Sequence, residues 1–403
     1  MTPSDSFASA ISANIAYWQK RLDEMSPDAI EAIDRDRHNL YRAVDFGLNL
    51  PDTWIECAKL AILCFPFMVQ KGYYRDWILV LDRVVARCCE TDLTLKGRLL
   101  DQLGILYRRN RQLDEAIDSH LEEESIGIEL DDLSRQSFAR MHLSAAFWRK
   151  RQHETAEKYG LAALEGFSKL DDNQEKLASC YTNLGNIALG RGDLELAEER
   201  LKQAEELYRQ LNQPVDHANA LKNLAALYEA AGEYDQALLI LVEAVDALAQ
   251  TESEIDKAAI EINIGTLYFR KGELDLAEAA FRRADSAYMR KFGPVYYRAL
   301  TANNLGNVYL KRQEWEIAEQ YLVKSVRLFR QASAQVYLAN ALSGEAEALI
   351  GQGRQEEAIP IYDEAITIVA AHPDDAWAQR LLEEFTLERT RLLGEKMGKM
   401  PNT

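Results

Sequence analysis

Asn183, Asn223, Asn263 and Asn304 stand 40, 40 and 41 residues apart, and the same interval reaches back to His142 and Gln102 and forward to Gly344. Asparagine is a poor residue for a helix interior, because its side chain competes for the backbone's hydrogen bonds. Its carboxamide offers one acceptor and two donors, so it pairs with both polar sides of a peptide unit whatever side chain that unit bears. The residues themselves leave three readings open. The row grips an extended peptide, or its members bond the neighbouring repeat as an internal ladder, or it is a remnant of duplicated sequence.

A second periodic set is cationic: Arg109, Arg149, Arg270 and Lys311, with Arg108, Arg111, Lys150, Arg151 and Arg312 beside them. Cations at a helix C-terminus are stabilised by its partial negative charge, at about 0.3–1 kcal/mol each. The same charges would select an acidic partner. Nucleic acid is not the expected one. No aromatic stackers interleave with the set, and 65 acidic against 47 basic residues give a net charge of −18, where a phosphate-backbone binder needs a basic footprint.

Catalytic templates are absent from the sequence: there is no G-x-S-x-G, no H-E-x-x-H, no glycine-rich phosphate loop and no kinase-type motif. His153-Glu154 opens a zincin-like pair, but position 157 is Glu157. The six histidines show no metal-ligand spacing to a cysteine, and Glu122-Glu123-Glu124 reads as a solvated helix face. The expectation is no enzyme, no metal and no cofactor. The five cysteines (Cys57, Cys64, Cys88, Cys89, Cys180) are odd in number and form no CxxC pair, which reads as reduced core thiols, with one of Cys88 and Cys89 buried and the other half-exposed. The longest apolar run, Leu60 to Val69, is about half the ~20 residues a spanning helix needs. With no secretory signal at the N-terminus, a soluble cytoplasmic chain without membrane contact is expected.

The elements that carry these residues follow from a repeat. A small residue recurs at Gly104, Ser144, Gly185, Ala225, Gly265, Gly306 and Ala346, and twelve residues after each stands Ala116, Ala156, Ala197, Ala237, Ala277, Ala318 or Ala358. Two antiparallel helices approach to about 8–10 Å only where their facing residues are small, so each unit is a helix A crossing a helix B. Tyr107, Phe147, Tyr228, Tyr268 and Tyr309 in helix A, and Leu201, Leu241, Phe281, Leu322 and Tyr362 in helix B, fall at spacings of three and four on the same faces and form the candidate core. Turns such as Arg191-Gly192-Asp193 and Lys271-Gly272-Glu273 close helix A with glycine, and Asp193 is placed to cap helix B. Pro214 and Pro294 are expected at first helical positions.

Asn183-Leu184-Gly185-Asn186-Ile187-Ala188 with Ala197 and Ala204, Ile264-Gly265 with Tyr268, Ala277, Phe281 and Ala284, and Leu305-Gly306-Asn307 with Tyr309 and Ala318 resemble the tetratricopeptide repeat over about residues 93–373. The period of about 40, longer than the commonest 34, is similar to that of kinesin light chains and LGN-type scaffolds. The resemblance implies an all-α solenoid, a right-handed superhelix of antiparallel helix pairs whose A helices line a concave groove. It also implies that Asn183, Asn223, Asn263 and Asn304 point into that groove. Asn186 and Asn307 match a second groove position of carboxylate-clamp members, and Asn303 does so less closely.

Residues 1–52 read as an N-terminal helical pair (helices over 8–24 and 28–48, with Ser26-Pro27 as N-cap and first helical residue). Residues 53–92 read as a degenerate unit with Trp77 in place of the alanine, 93–373 as seven units, and 374–403 as a capping helix, over about 375–396, and tail. Arg37-His38-Asn39-Leu40-Tyr41-Arg42-Ala43-Val44 is similar to the segment opening the helical arms of bacterial STAND-type regulators, and the missing G-x-x-x-x-G-K-[ST] would make this chain a sensor arm without its motor. The expected function is a scaffold or sensor that holds a protein or peptide segment. The candidate contacts are Asn183, Asn223, Asn263, Asn304, Asn186, Asn307 and His142, with Arg109, Arg149, Arg270 and Lys311 selecting acidic flanks. The alternative is a regulatory subunit docking through its outer surface on a separately encoded signalling enzyme (a STAND NTPase or CHAT-type protease) or on a transcription factor.

Overall fold

A computed structural model of the protein describes residues 3–24, 27–50, 53–88, 92–373 and 375–398. The first helices are α1 (Pro3–Glu24), α2 (Pro27–Leu48), α3 (Trp54–Lys71) and α4 (Tyr74–Arg87). Helix pairs follow: α5 (Leu93–Arg109) with α6 (Leu113–Glu129), α7 (Leu133–Arg149) with α8 (His153–Ser168), α9 (Gln174–Arg191) with α10 (Leu194–Gln210), and α11 (Pro214–Ala230) with α12 (Tyr234–Ala247). Next come α13 (Glu254–Lys271) with α14 (Leu274–Ala284), the short α15 (Ala287–Phe292), α16 (Val295–Lys311) with α17 (Trp315–Gln331), α18 (Gln335–Gly351) with α19 (Gln355–Ala370), and the single α20 (Ala376–Gly398). The described residues contain no strand. The fold is an all-α solenoid, and it divides into two compact units, Met1–Leu207 and Tyr208–Thr403.

Small residues set the crossings, as their spacing predicts. A Cβ added to Gly185 would stand 2.7 Å from Leu201, one on Gly265 2.5 Å from Phe281, and one on Gly306 2.6 Å from Leu322. The alanines that answer them, Ala116 through Ala358, are completely buried. Seven residues after each small position the chain turns through a left-handed residue. Gly192 (φ 81°) and Gly272 (φ 79°) adopt it freely, whereas Arg111, Arg151 and Gln313 hold φ of 65°, 58° and 60° at the same place, at a cost of about 1–2 kcal/mol each. Asp193 accepts the Leu196 N–H at 3.2 Å and caps α10.

Ion pairs tie the end of one repeat's helix A, or the turn after it, to the first residues of the preceding repeat's helix B. Lys150 reaches Asp114 and Arg191 reaches Glu157 in the first unit; Lys271 reaches Asp235 (2.7 Å), Arg312 reaches Asp275 and Arg354 reaches Glu319 (2.9 Å) in the second.

Pro214 opens α11 as expected, but Pro294 does not open α16: it is the N-cap, and Val295 comes first. The cause is α15. Helix α14 stops at Ala284, Ser286 recaps the chain by accepting the Met289 N–H at 3.2 Å, and Met289 is buried with Phe281, Ala284 and Leu305. The chain then runs extended through Gly293 (ψ 149°) and Pro294 (ψ 136°) into α16.

In the first helices Trp77 occupies the alanine position, is completely buried, and stacks on Tyr41 with centroids 5.5 Å apart. Asp34 joins α2 to the turn after α3, accepting from the Tyr73 hydroxyl at 2.7 Å and pairing with Lys71 at 3.3 Å. Helix α1 begins earlier than its apolar pattern, at Pro3. Cys57, Cys64, Cys88 and Cys180 are buried, and burial pushes the Cys57 and Cys180 thiols up to about 12. Ser26, Cys89, Asp374 and residues 399–403 lie outside the described residues. Helix α20 buries Ala378, Leu381, Phe385 and Leu392 against the pair before it. Among the described residues no helix is long and apolar enough to cross a membrane.

Candidate functional site

Successive A helices lie against one another: α5 with α7 and α7 with α9 in the first unit, α11 with α13, α13 with α16 and α16 with α18 in the second. The repeat dictates which side chains they leave uncovered. The small residue of helix A is turned to helix B, and two residues earlier is a rotation of about 200°, the side away from helix B. Asn183 (α9), Asn223 (α11), Asn263 (α13) and Asn304 (α16) occupy it, all half-buried. Their carboxamides form no hydrogen bond with any described residue. The internal ladder, in which each would bond a neighbouring repeat, is therefore not formed at these four positions.

At the earlier rungs the same position is engaged. Gln102 donates to the Ile62 carbonyl at 3.2 Å, and His142 lies 3.3 Å from Asp101 with its ring stacked on His120. Asn186 and Asn307 are also half-buried without a hydrogen bond, and Asn307 Oδ1 lies 3.7 Å from where a Cβ on Gly344 would stand. Asn303 is buried, its Oδ1 without a partner.

The cationic set divides. Arg270 is paired with Glu229 at 3.1 Å, so it is not an open charge. Lys311 is exposed at the end of α16, and Arg109 lies over the Tyr74 ring at 5.9 Å. At the ends of α5 and α7 the charges converge. Burial, with Arg149 and then Arg109 adding, pushes the Arg108 guanidinium down to about 10, and its buried Nε has no partner. Desolvation and the charges of Arg109 and Arg111 lower Arg149 as well. Arg108, which the spacing argument passed over for Arg109, is the half-buried member of this positive cluster. Its one-residue offset from the periodic position turns it by about 100° toward the interior.

Two further readings are corrected. Glu123 is not on a solvated face; it is 2% exposed, because it faces helix α5 from within the repeat. The histidines are not all scattered: His120, completely buried on α6, and His142, on α7, stack with centroids 4.9 Å apart. Burial, the nearby His142 and Arg108 hold His120 well below the usual imidazole range, and burial with the Asp101 charge pushes Glu123 up to about 9. Both shifts favour the uncharged form.

Models of the tetratricopeptide repeat match residues 137–210, 256–331 and 297–371, and a second model of the same repeat matches 182–253. These stretches cover more than half of the chain, which belongs to the tetratricopeptide repeat family. Human "Tetratricopeptide repeat protein 8" is 31% identical over 121 residues, covering 30% of this chain and 20% of that protein. Arabidopsis thaliana "Protein KINESIN LIGHT CHAIN-RELATED 3" is 23% identical over 260 residues, 55% of this chain and 39% of that protein. The chain therefore matches two-fifths or less of the length of these curated relatives. Among solved structures, the apo form of the quorum sensor NprR from B. thuringiensis shares the fold with a TM-score of 0.55 at 16% identity, covering 89% of this chain and 99% of that one. A Rap protein complexed with competence and sporulation factor has a TM-score of 0.52 at 14% identity, covering 88% and 99%.

Proposed function

We propose that the chain is a non-catalytic scaffold or sensor that holds an extended segment of a partner protein against its A helices. The observation that carries this reading is the set of half-buried asparagine carboxamides left without hydrogen-bond partners among the described residues at the same A-helix position. In the unit from Tyr208, Asn223, Asn263 and Asn304 stand on successive A helices about 10 Å apart, and an extended chain advances about 3.3 Å per residue. Each carboxamide meets every third peptide unit, donating to its carbonyl and accepting from its N–H. Asn307 adds a contact beside the last of them. In the unit ending at Leu207, Asn183 and Asn186 act in the same way. There His142 borders the face, and Arg108, Arg109 and Arg149 favour acidic side chains on the ligand. The Rap protein of like fold, in complex with competence and sporulation factor, supports a ligand-holding role for such a solenoid; at its low identity the likeness is one of fold.

The test is a selection of random displayed peptides against the purified chain, followed by fluorescence anisotropy of the winners. Two lost carboxamide contacts at about 0.5–1.5 kcal/mol each predict that Asn223→Ala with Asn263→Ala weakens binding tenfold or more while circular dichroism stays unchanged. Equal affinity in the folded double variant sinks the groove reading.

A second reading has its own observation. Leu239 and Val242 on α12 are 66% and 51% exposed, and Leu276, Ile317 and Val323 are exposed on the B helices that follow. An outer apolar stripe of this kind suits docking on a separately encoded signalling enzyme. Binding lost on Leu239→Ser with Val242→Ser, and retained in the asparagine variant, would select it.

A further inference from the structure

One repeat puts a histidine and a glutamate where the others have neither. At the position four after the helix-B alanine, where five repeats place Leu201, Leu241, Phe281, Leu322 or Tyr362 and α8 has Gly160, α6 has His120; seven after, where others have alanine or serine (Ala163, Ala204, Ala244, Ala284, Ser325, Ala365), it has Glu123. Both are core positions, 0% and 2% exposed. Burying ionisable groups is costly unless they are paired or hold a metal, so two such replacements in one repeat ask for a reason.

The surroundings supply ligands. His120 Nδ1 lies 3.0 Å from Glu123 Oε2, and His142 Nε2 lies 3.3 Å from Asp101 Oδ1. One ligand atom each of Asp101, His120 and Glu123 lies within 4.8 Å of the other two. Around a four-coordinate ion with bonds of about 2.0–2.2 Å, ligand atoms stand roughly 3.4 Å apart, so these three atoms need only draw together. His120 Nε2 is buried without a hydrogen bond. The His120 ring edge meets α5 at Gly104, one turn beyond Asp101. A cleft of about 350 Å³ lined by Arg98, Gln102, Ser134 and Arg135 reaches Asp101 and Glu123 from outside and gives an entry path.

We propose that Asp101, His120 and Glu123 bind one divalent transition-metal ion of the zinc type, with water in the fourth position and His142 orienting Asp101. The imidazole ligand favours it over magnesium or calcium, which take oxygen ligands, and two carboxylates balance its charge. The ligands come from α5 and α6, and through His142 on α7 the site reaches the next repeat. It shares His142 with the A-helix row but does not require a peptide to be held there.

The experiment uses the full, tag-free chain, stripped with a chelator and dialysed, then titrated with Co²⁺ and displaced with Zn²⁺. One equivalent of Co²⁺ should develop the visible bands of a four-coordinate ion, Zn²⁺ should abolish them, and Zn²⁺ alone should raise the melting temperature. Asp101→Asn and His142→Ala should each weaken Co²⁺ binding tenfold or more. His120→Leu installs the leucine of other repeats and should fold while losing the bands. Absence of stoichiometric Co²⁺ binding by the wild-type chain overturns the proposal. So do bands that persist undiminished in Asp101→Asn and His142→Ala, and the cluster is then a neutral hydrogen-bonded core.

Discussion

Replacing Asn223, Asn263 and Asn304 together by alanine should make the protein more stable. Each sits in the interior of an α-helix, where asparagine lies about 0.5–0.7 kcal/mol below alanine, and none has a hydrogen bond to lose among the described residues. The three gains sum to about 1.5–2 kcal/mol. Had each carboxamide held a neighbouring repeat, three lost bonds at about 0.5–1.5 kcal/mol net, with their partners left unpaired, would cancel or exceed that gain. The assay is urea unfolding followed by circular dichroism, with the midpoint compared at constant slope. A midpoint moving to higher urea, together with the loss of peptide binding predicted above, would identify residues kept for function at the expense of stability. A midpoint moving lower refutes the reasoning: the asparagines would then be structural, whatever their effect on binding.

Two other outcomes follow from the core and from one ion-pair node. Gly265→Ala places a methyl 2.5 Å from the rigid, buried Phe281 ring and should destabilise by about 1–3 kcal/mol, read from the thermal or urea midpoint. Burial alone would raise the Glu278 carboxyl, but hydrogen bonds from Tyr309, Arg312 and Arg282 override it and hold it at about 2. Its lowered value means that the native state binds fewer protons than the unfolded chain. The stabilisation is therefore present above about pH 4.5 and is lost as pH falls toward 2. Glu278→Gln should cost about 1–2 kcal/mol at pH 7, after allowance for solvent screening, and flatten the acid limb of a stability–pH curve.

The helix pairs were legible because a close crossing tolerates only small residues, and these recur at a fixed interval at Gly104 through Ala346 and Ala116 through Ala358. That the asparagines stand on the side of helix A away from helix B follows from a rotation of about 200° from a small residue that faces helix B. Whether they bond a neighbour was not legible, because that depends on distances between helices. Helix α15 was hidden because Asp285 and Ser286 break the B helix at positions the repeat leaves unmarked. The cluster of Asp101, His120, Glu123 and His142 draws on three helices, so no local spacing reveals it. A signal was present all the same: a histidine in the filler column and a glutamate in the alanine column of a single repeat. Arg270 was placed correctly along the chain but not electrostatically, because Glu229 comes from the preceding repeat.

The ion pairs from Lys150 to Asp114, Arg191 to Glu157, Lys271 to Asp235, Arg312 to Asp275 and Arg354 to Glu319 all bridge successive repeats, and none lies inside one. Each contributes only about 0–1 kcal/mol, but all of it goes to coupling between repeats. In a nearest-neighbour array, coupling sets how many repeats open as one event. Added salt, which shortens the Debye length from about 8 Å at physiological strength to about 3 Å at 1 M, thus acts on cooperativity and leaves each apolar crossing intact. Ionic strength becomes a control on mechanical granularity: in dilute buffer a tug on one repeat is shared along its neighbours, and in brine it is absorbed locally, one hairpin at a time.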